Sequence, residues 1–143
     1  MAHWKDYKED FVLLLEAGFI AVNQADEDAA LKLFKSAELL NPDNQMPKVG
    51  MGYLHLHKLD LKQACQMFEE VLEAEPKNEM ARAFLGISMS LAPTSMEKGE
   101  KILEQTHHSK DPMIKTLSDT AINFVEKFVK KSPTPVQGEK NQK

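Results

Sequence analysis

The chain has 143 residues, a formal net charge of −4 and a pI near 5.7, and 42% of its residues are hydrophobic. This length fits one domain, and the acidic balance disfavours a nucleic-acid or anionic-membrane partner, since both require a basic face. A single cysteine, Cys65, excludes an internal disulfide framework and is compatible with a reducing compartment. Helix-favouring residues are frequent and glycine is sparse, which predicts an all-α fold.

The N-terminal stretch MAHWKDYKEDFVLLLEAGF contains only a short apolar run, residues 11–15. That run is shorter than the apolar core of a signal peptide and far shorter than a membrane span. We therefore expect a cytoplasmic protein without membrane insertion.

Matching residues recur at intervals of 34 positions along the following part of the chain. The matched sets are Gly18, Gly52 and Gly86; Ala30 and Ala64; Phe34 and Phe68; Pro42 and Pro76; and Asn44 and Asn78. Such coincidence indicates an internal repeat. Its units are residues 11–44 (unit one), 45–78 (unit two) and 79–110 (unit three).

Each unit is predicted to contain two antiparallel helices. The small residues allow close approach of the helix backbones, and Phe34 and Phe68 are expected to fill the space between successive units. Pro42 and Pro76 follow the second helix, because proline cannot continue it. Asp60 followed by Gln63 resembles a capping box at the start of the second helix of unit two.

Unit three departs from this pattern after a regular start. Gly86 is in register, but Lys98 and Ile102 occupy the positions of the small residue and the phenylalanine. A one-residue insertion would place Gly99 at the small position, so residues 95–105 are still predicted to form the second helix.

A terminal helix is predicted over residues 112–130. Asp111 is the expected N-cap and Pro112 occupies the first turn. Its apolar residues follow the helical period and should pack on the last repeat: Ile114, Leu117, Ala121, Phe124, Val125 and Phe128. Residues 131–143 are polar and contain prolines, which predicts a disordered tail.

The pair His55 and His57 suggests a metal site at first sight. Residues two positions apart on a helix point about 200° away from each other, so the pair cannot chelate one ion. The adjacent His107 and His108 are equally unsuited. The sequence also lacks a phosphate-binding loop and a nucleophile elbow. It therefore predicts no enzyme, no catalytic residues, no metal and no cofactor.

The period of 34, with its order of small, aromatic and proline positions, resembles the tetratricopeptide (TPR) family. The resemblance implies a short all-α solenoid of about seven helices, with three repeats, the third degenerate, and a C-terminal capping helix. TPR proteins bind partners in a concave groove formed chiefly by the first helix of each repeat. Its usual positions predict this partner-binding set: Val12, Leu15, Phe19, Val22, Met46, Val49, Tyr53, Leu56, His57, Met80, Ala83 and Ile87. The same positions also include Asn23, Ser90 and Leu91.

The predicted groove is almost entirely apolar. Either some of these residues are core, with the terminal helix covering part of the groove, or the groove receives the apolar stripe of a partner helix. We favour the second interpretation, since an extended apolar surface normally marks an interaction site. A carboxylate clamp for acidic peptides is excluded, because its positions are Leu15, Phe19, Gly50, Met80 and Phe84, none of which carries a donor.

The chain further resembles the TPR chaperones of bacterial type III secretion. The segment SKDPMIKTLSDTAINFVEKFV (residues 109–129) is similar to the last helix of the needle-subunit chaperones. That resemblance implies a bacterial cytoplasmic chaperone that holds the amphipathic C-terminal helix of a secreted needle subunit and prevents premature polymerisation. It also implies a second small helical co-chaperone in a heterotrimer. A translocator chaperone of the same system and a generic TPR adaptor are the alternatives.

Overall fold

The computed structural model describes residues 7–130, which form seven α-helices and a final π-helical segment. The helices are α1 (Lys8–Asn23), α2 (Glu27–Leu40), α3 (Met46–His57), α4 (Leu61–Ala74), α5 (Glu79–Ser90), α6 (Met96–His107) and α7 (Pro112–Phe124), and the π-helical segment is Val125–Val129. The predicted all-α class is confirmed for this part of the chain. The predicted tail, residues 131–143, lies outside the described residues. No helix within residues 7–130 is long and apolar enough to cross a bilayer.

The helix boundaries follow the 34-residue period of the sequence. Helix α2 (Glu27–Leu40) and helix α4 (Leu61–Ala74) begin and end at equivalent positions of their units. The turns that precede them are also equivalent, since Ala25 and Leu59 both adopt a left-handed backbone, with φ of 60° and 58°. Residues with a Cβ rarely adopt this conformation. The same strained turn is therefore built twice.

Side-chain caps define the starts of three helices. Asp26 accepts a hydrogen bond from the backbone N–H of Ala29 at 3.1 Å, and Asn78 accepts one from that of Ala81 at 3.0 Å. These bonds satisfy backbone donors that have no partner within the helix. Asp111 caps α7 through the N–H of Met113 at 2.9 Å, which confirms the predicted helix start.

The predicted capping box at Asp60 is wrong. Asp60 occupies the N-cap position of α4, but its side chain makes no capping hydrogen bond. Its carboxylate Oδ2 lies instead 3.3 Å from Nδ1 of His55 on the preceding helix. The carboxylate therefore links the two helices of unit two across their turn.

Phe34 and Phe68 pack against glycines of neighbouring helices. Both phenylalanines are fully buried. A Cβ atom would come within 2.5 Å of the Phe34 ring at Gly18 and within 2.3 Å of it at Gly50. Phe34 of unit one therefore lies directly against the first helix of its own unit and against that of the next. Phe68 lies against Gly52 in the same way, since a Cβ on Gly52 would come within 2.6 Å of its ring.

Unit three uses different residues at these places. Leu103, one position beyond the period, lies against Gly86, where a Cβ would be 3.0 Å from its Cγ. Gly99 packs against helix backbone, because a Cβ there would lie 2.5 Å from the backbone nitrogen of Ser90. These contacts confirm the predicted one-residue insertion and the helix that follows it.

Helix α7 is attached to α6 through polar as well as apolar contacts. Ile114 and Val125 are buried, and the buried hydroxyls of Thr106 and Ser118 lie 2.6 Å apart. Nδ1 of His107 on α6 also pairs with the carboxylate of Asp119 on α7.

The prediction that all apolar residues of the terminal helix pack inward is wrong for two of them. Phe124 and Phe128 remain 48% and 59% exposed, and their rings contact each other with centroids 5.2 Å apart. Lys130 follows this pair and binds Glu100 of α6 and Glu126, each at 2.8 Å. Those hydrogen bonds, to Glu100 first, raise the pKa of Lys130.

The helices form two layers. Helices α1, α3, α5 and α7 contact one another in chain order, whereas within residues 7–130 no contact of comparable extent joins α2 to α4 or α4 to α6. We call the surface of α1, α3, α5 and α7 the inner face.

Candidate functional site

Three rows of side chains run across the inner face. Each row takes one residue from equivalent positions of α1, α3 and α5. The N-terminal row is Val12, Met46 and Met80; the central row is Phe19, Tyr53 and Ile87; and the C-terminal row is Asn23, His57 and Leu91. All nine side chains are exposed or half-buried. The three positions fall within a stripe about 40° wide on each helix, which explains why they share one surface.

The remaining predicted groove positions behave differently. They are rotated about 60–80° from that stripe, toward the side of each helix that packs on its partner. Their side chains are 1% (Val22), 0% (Val49), 9% (Leu56) and 0% (Ala83) exposed, and Ser90 is also buried. The prediction that these four apolar residues line an open wall is therefore wrong: they form core behind it. Only Leu15 is half-buried, since no helix precedes α1 within residues 7–130.

The centre of the inner face is aromatic. Phe19 and Tyr53 have ring centroids 5.5 Å apart, and Phe84 lies 5.3 Å from Tyr53 on the other side. Behind this surface, Phe34 meets Phe19 edge-on at 5.3 Å and Phe68 stacks on Phe84 at 5.6 Å. The rings support one another, so the middle of the face presents a pre-arranged apolar surface.

Phe84 belongs to this surface although the groove positions did not include it. It occupies the position that Gly50 holds in unit two. At Gly50, the ring of Phe34 leaves no room for any side chain larger than that of glycine. A bulky residue there must turn outward and stack on Phe68. The residues at this position of the three units are Glu16, Gly50 and Phe84, so the 34-residue period gave no signal for Phe84.

The polar groups of the face lie at its C-terminal row. The hydroxyl of Tyr53 donates a hydrogen bond to Oδ1 of Asn23 at 2.7 Å, which joins the ends of α1 and α3. Partial burial raises the pKa of Tyr53. His57 meets the edge of the Tyr53 ring, with centroids 5.0 Å apart. One border of the face can thus form hydrogen bonds, while the opposite border offers valine and methionine.

A second exposed apolar surface lies on the outer side of α1. Leu13 and Ile20 are 64% and 56% exposed. The equivalent residues of unit two, Pro47 and Leu54, are buried, and the side chain of Leu54 is only 3% exposed. At these positions α3 packs against the unit before it. Helix α1 has no such neighbour among the described residues, so its inter-unit residues face solvent.

The residues examined for chemistry make structural contacts. His55 pairs with Asp60, His57 packs on Tyr53, and His107 pairs with Asp119. Half-burial raises the pKa of the Cys65 thiol, with a smaller contribution from Glu69. Within residues 7–130, no group of three or more His, Cys, Asp or Glu side chains is arranged to hold a metal ion.

No protein-family model, curated protein or solved structure matches this chain. Its function is therefore inferred from the residues of the inner face and from the chemistry that this face offers to a partner.

Proposed function

We propose that the protein is a TPR-type chaperone of bacterial type III secretion, and that its inner face binds the amphipathic C-terminal helix of the needle subunit. The observation that carries the proposal is the set of three accessible rows across the inner face, seven of whose nine residues are apolar or aromatic. A face of this kind is suited to the apolar stripe of a helix. The binding would take place in the bacterial cytoplasm.

The mechanism follows from burial of apolar surface. A needle subunit polymerises through the apolar stripe of its helix, and the same stripe would be covered by the rows of the inner face. Removing that surface from water favours the complex by about 25 cal/mol for each Å² of apolar area. The concentration of free subunit would then fall below the level required for assembly.

The composition of the rows argues against a generic adaptor for polar peptides. Three residues of the rows carry polar groups: Asn23, His57 and Tyr53, through its hydroxyl. The Tyr53 hydroxyl already donates a hydrogen bond to Asn23. An adaptor of that kind would require donors or charges along the middle of the face. Phe19, Tyr53 and Ile87 offer none for a charged ligand.

The outer side of α1 supports the expected co-chaperone. Leu13 and Ile20 lie seven residues apart, on one side of the helix, with the exposed Glu16 between them. A second small helical protein could cover these residues with an apolar stripe of its own. Its contact would leave the inner face free for the needle subunit, which is consistent with a heterotrimer.

The test is co-expression of the chain with the needle subunit of the same secretion system, followed by affinity capture and size-exclusion chromatography. We expect a soluble complex. Ile87→Glu should abolish it, because binding would bury an unpaired carboxylate. Tyr53→Glu should act in the same way, provided that circular dichroism shows an unchanged helix content.

Leu39→Glu is the matched control, because Leu39 is 82% exposed on the outer helix α2. It should leave the complex intact. The proposal fails if the needle subunit aggregates equally with and without the chain, or if Ile87→Glu and Leu39→Glu behave alike. A translocator chaperone would instead leave the needle subunit unbound and hold an extended segment of a translocator protein.

A further inference from the structure

A pocket opens between α5 and α7 at one end of the inner face. Its volume is about 250 Å³. It is lined by Ile87, Leu91, Leu117, Thr120, Ala121, Phe124 and Val125. Thr120 is the only polar residue in this lining, so the pocket is suited to an apolar group.

The pocket continues two rows of the inner face. Ile87 is the last residue of the central row, and Leu91 is the last of the C-terminal row. A helix that follows Phe19 and Tyr53 toward unit three therefore reaches the pocket at its end. At that point the lining residues of α7 and of the segment after it face those of α5.

The size of the pocket indicates what enters it. An apolar cavity of about 150 Å³ is large enough to bind benzene, so 250 Å³ accommodates the side chain of Phe, Leu or Met. Phe124 at its border is 48% exposed and could close over such a group. A small side chain would leave most of the space unfilled.

The segments of this chain outside the described residues are poorly suited to fill the pocket. Residues 131–143, KSPTPVQGEKNQK, contain a single aliphatic side chain outside proline, Val136. Residues 1–6 include Trp4, but they are joined to α1, and among the described residues α1 makes no extensive contact with α5 or α7. A bulky apolar side chain from a partner is the better match.

We propose that the pocket between α5 and α7 receives one bulky apolar side chain, aliphatic or aromatic, from the end of the bound partner helix. This inference rests on the proposed function and adds a specificity element to it. The rows alone would allow the helix to slide along a uniform apolar surface. A single deep site fixes its register and its direction across the face.

The experiment measures binding of the full chain to a panel of fluorescein-labelled synthetic helices by fluorescence anisotropy. Each amphipathic peptide of about 18 residues carries Ala at one position of its apolar stripe and Phe at the others. We expect Ala to weaken binding about 10-fold or more at one terminal position and much less elsewhere, since full burial of Phe is worth about 1.5–3 kcal/mol.

Two variants of the pocket test the assignment in opposite directions. Ala121→Leu fills the pocket and should remove the preference for Phe at the terminal position. Leu117→Ala enlarges the pocket and should shift the preference from Phe to Trp. Ala74→Leu at the exposed end of α4 is the matched control and should leave the peptide ranking unchanged.

The outcomes separate this inference from the proposed function. If no peptide binds, or if Tyr53→Glu leaves peptide binding unchanged, the proposed function itself fails. If Tyr53→Glu abolishes binding while every stripe position tolerates Ala equally, only the pocket assignment is overturned. It is also overturned if Val136→Ser strengthens binding of the Phe peptide, since the tail would then occupy the pocket. Concentration-dependent self-association that Ala121→Leu removes would assign the pocket to a second copy.

Discussion

The second helices of units one and two pack on glycines through the aromatic rings of Phe34 and Phe68, whereas the second helix of unit three packs through Leu103 and through a close contact between backbones. Phe34 lies between Gly18 and Gly50 of successive units, and a Cβ on either glycine would overlap its ring. In unit three, Leu103 takes the corresponding place with more room, and Gly99 brings α6 close to the backbone of Ser90. The sequence repeat is thus regular in units one and two, where Phe34 and Phe68 recur. It becomes irregular in unit three, which packs against α7.

This difference shows which positions a repeat must keep. The Phe34 ring fits because the helices on both sides of it carry glycine, so Gly18, Phe34 and Gly50 have to be retained together. Attachment of α7 needs instead the buried pair Thr106 and Ser118, which has no counterpart in the period. Four substitutions probe this contrast, and they are ordered here by the size of the expected effect.

Truncation of the shared ring should have the largest effect. Phe34→Ala is expected to lower the free energy of unfolding by about 3–5 kcal/mol, because it leaves a cavity between two units. Leu103→Ala should cost less, since Leu103 serves one unit and is smaller. Urea unfolding followed by circular dichroism measures both. Equal losses would show that the ring is not specifically an inter-unit contact.

Addition of a methyl group in unit three should have the next largest effect. Gly99→Ala is expected to cost about 1–3 kcal/mol, because the added Cβ would meet the backbone of Ser90, which cannot turn aside. Gly86→Ala is the control, since its nearest neighbour is the side chain of Leu103 at 3.0 Å. There the gain in helix propensity, about 1 kcal/mol, offsets much of the strain. A milder effect at Gly99 than at Gly86 would contradict the close backbone contact.

Removal of the polar link between α6 and α7 should have a moderate effect. Ser118→Ala leaves the buried hydroxyl of Thr106 without this partner and should cost about 1–2 kcal/mol. The double variant Thr106→Val with Ser118→Ala should lose less stability than the sum of the two single losses, because each single change already removes the bond between the two hydroxyls. Thermal unfolding of the three variants measures the coupling. Strictly additive losses would indicate that the two hydroxyls act independently.

Relief of the strained turn should have the smallest effect, and a favourable one. Leu59 adopts φ of 58° and is 70% exposed, so Leu59→Gly removes strain without loss of packing. We expect a gain of about 0.5–1 kcal/mol after the entropic cost of glycine. Leu59→Ala is the control and should give no gain, since alanine keeps its Cβ. Chemical denaturation compares them, and a stabilised alanine variant would point to the exposed leucine rather than to the backbone.

Much of the fold could be predicted from the sequence, because its strongest signals are local or strictly periodic. The period predicted two helices in each of units one and two, and it predicted that Phe34 and Phe68 fill the space between units. Asp111 was a recognisable cap because it is followed by proline. The side chain of Asp60 was wrongly predicted to cap α4. Its carboxylate lies near His55 instead, and this proximity arises only when the two helices pack together.

The candidate site was predicted less completely. Its rows could be named from equivalent positions, but the core residues Val22, Val49 and Leu56 could not be separated from them without the rotation of each helix against its neighbours. The exposure of Leu13 and Ile20 depends on the absence of a neighbouring helix rather than on any residue of α1. The pocket beside Ile87 required the position of α7, which the repeat does not encode.

Phe34 also has a consequence for how the chain unfolds. By sequence it belongs to unit one, yet its ring lies against Gly50 of unit two as closely as against Gly18 of its own unit. In a repeat array, stability divides into terms for single units and terms for the interfaces between them. Here the ring of Phe34 contributes to the stability of the interface between units one and two, so opening of α1 should expose α3 as well. In native-state hydrogen exchange, the amides of these two helices should open as one cooperative group rather than fray in succession from the N-terminus.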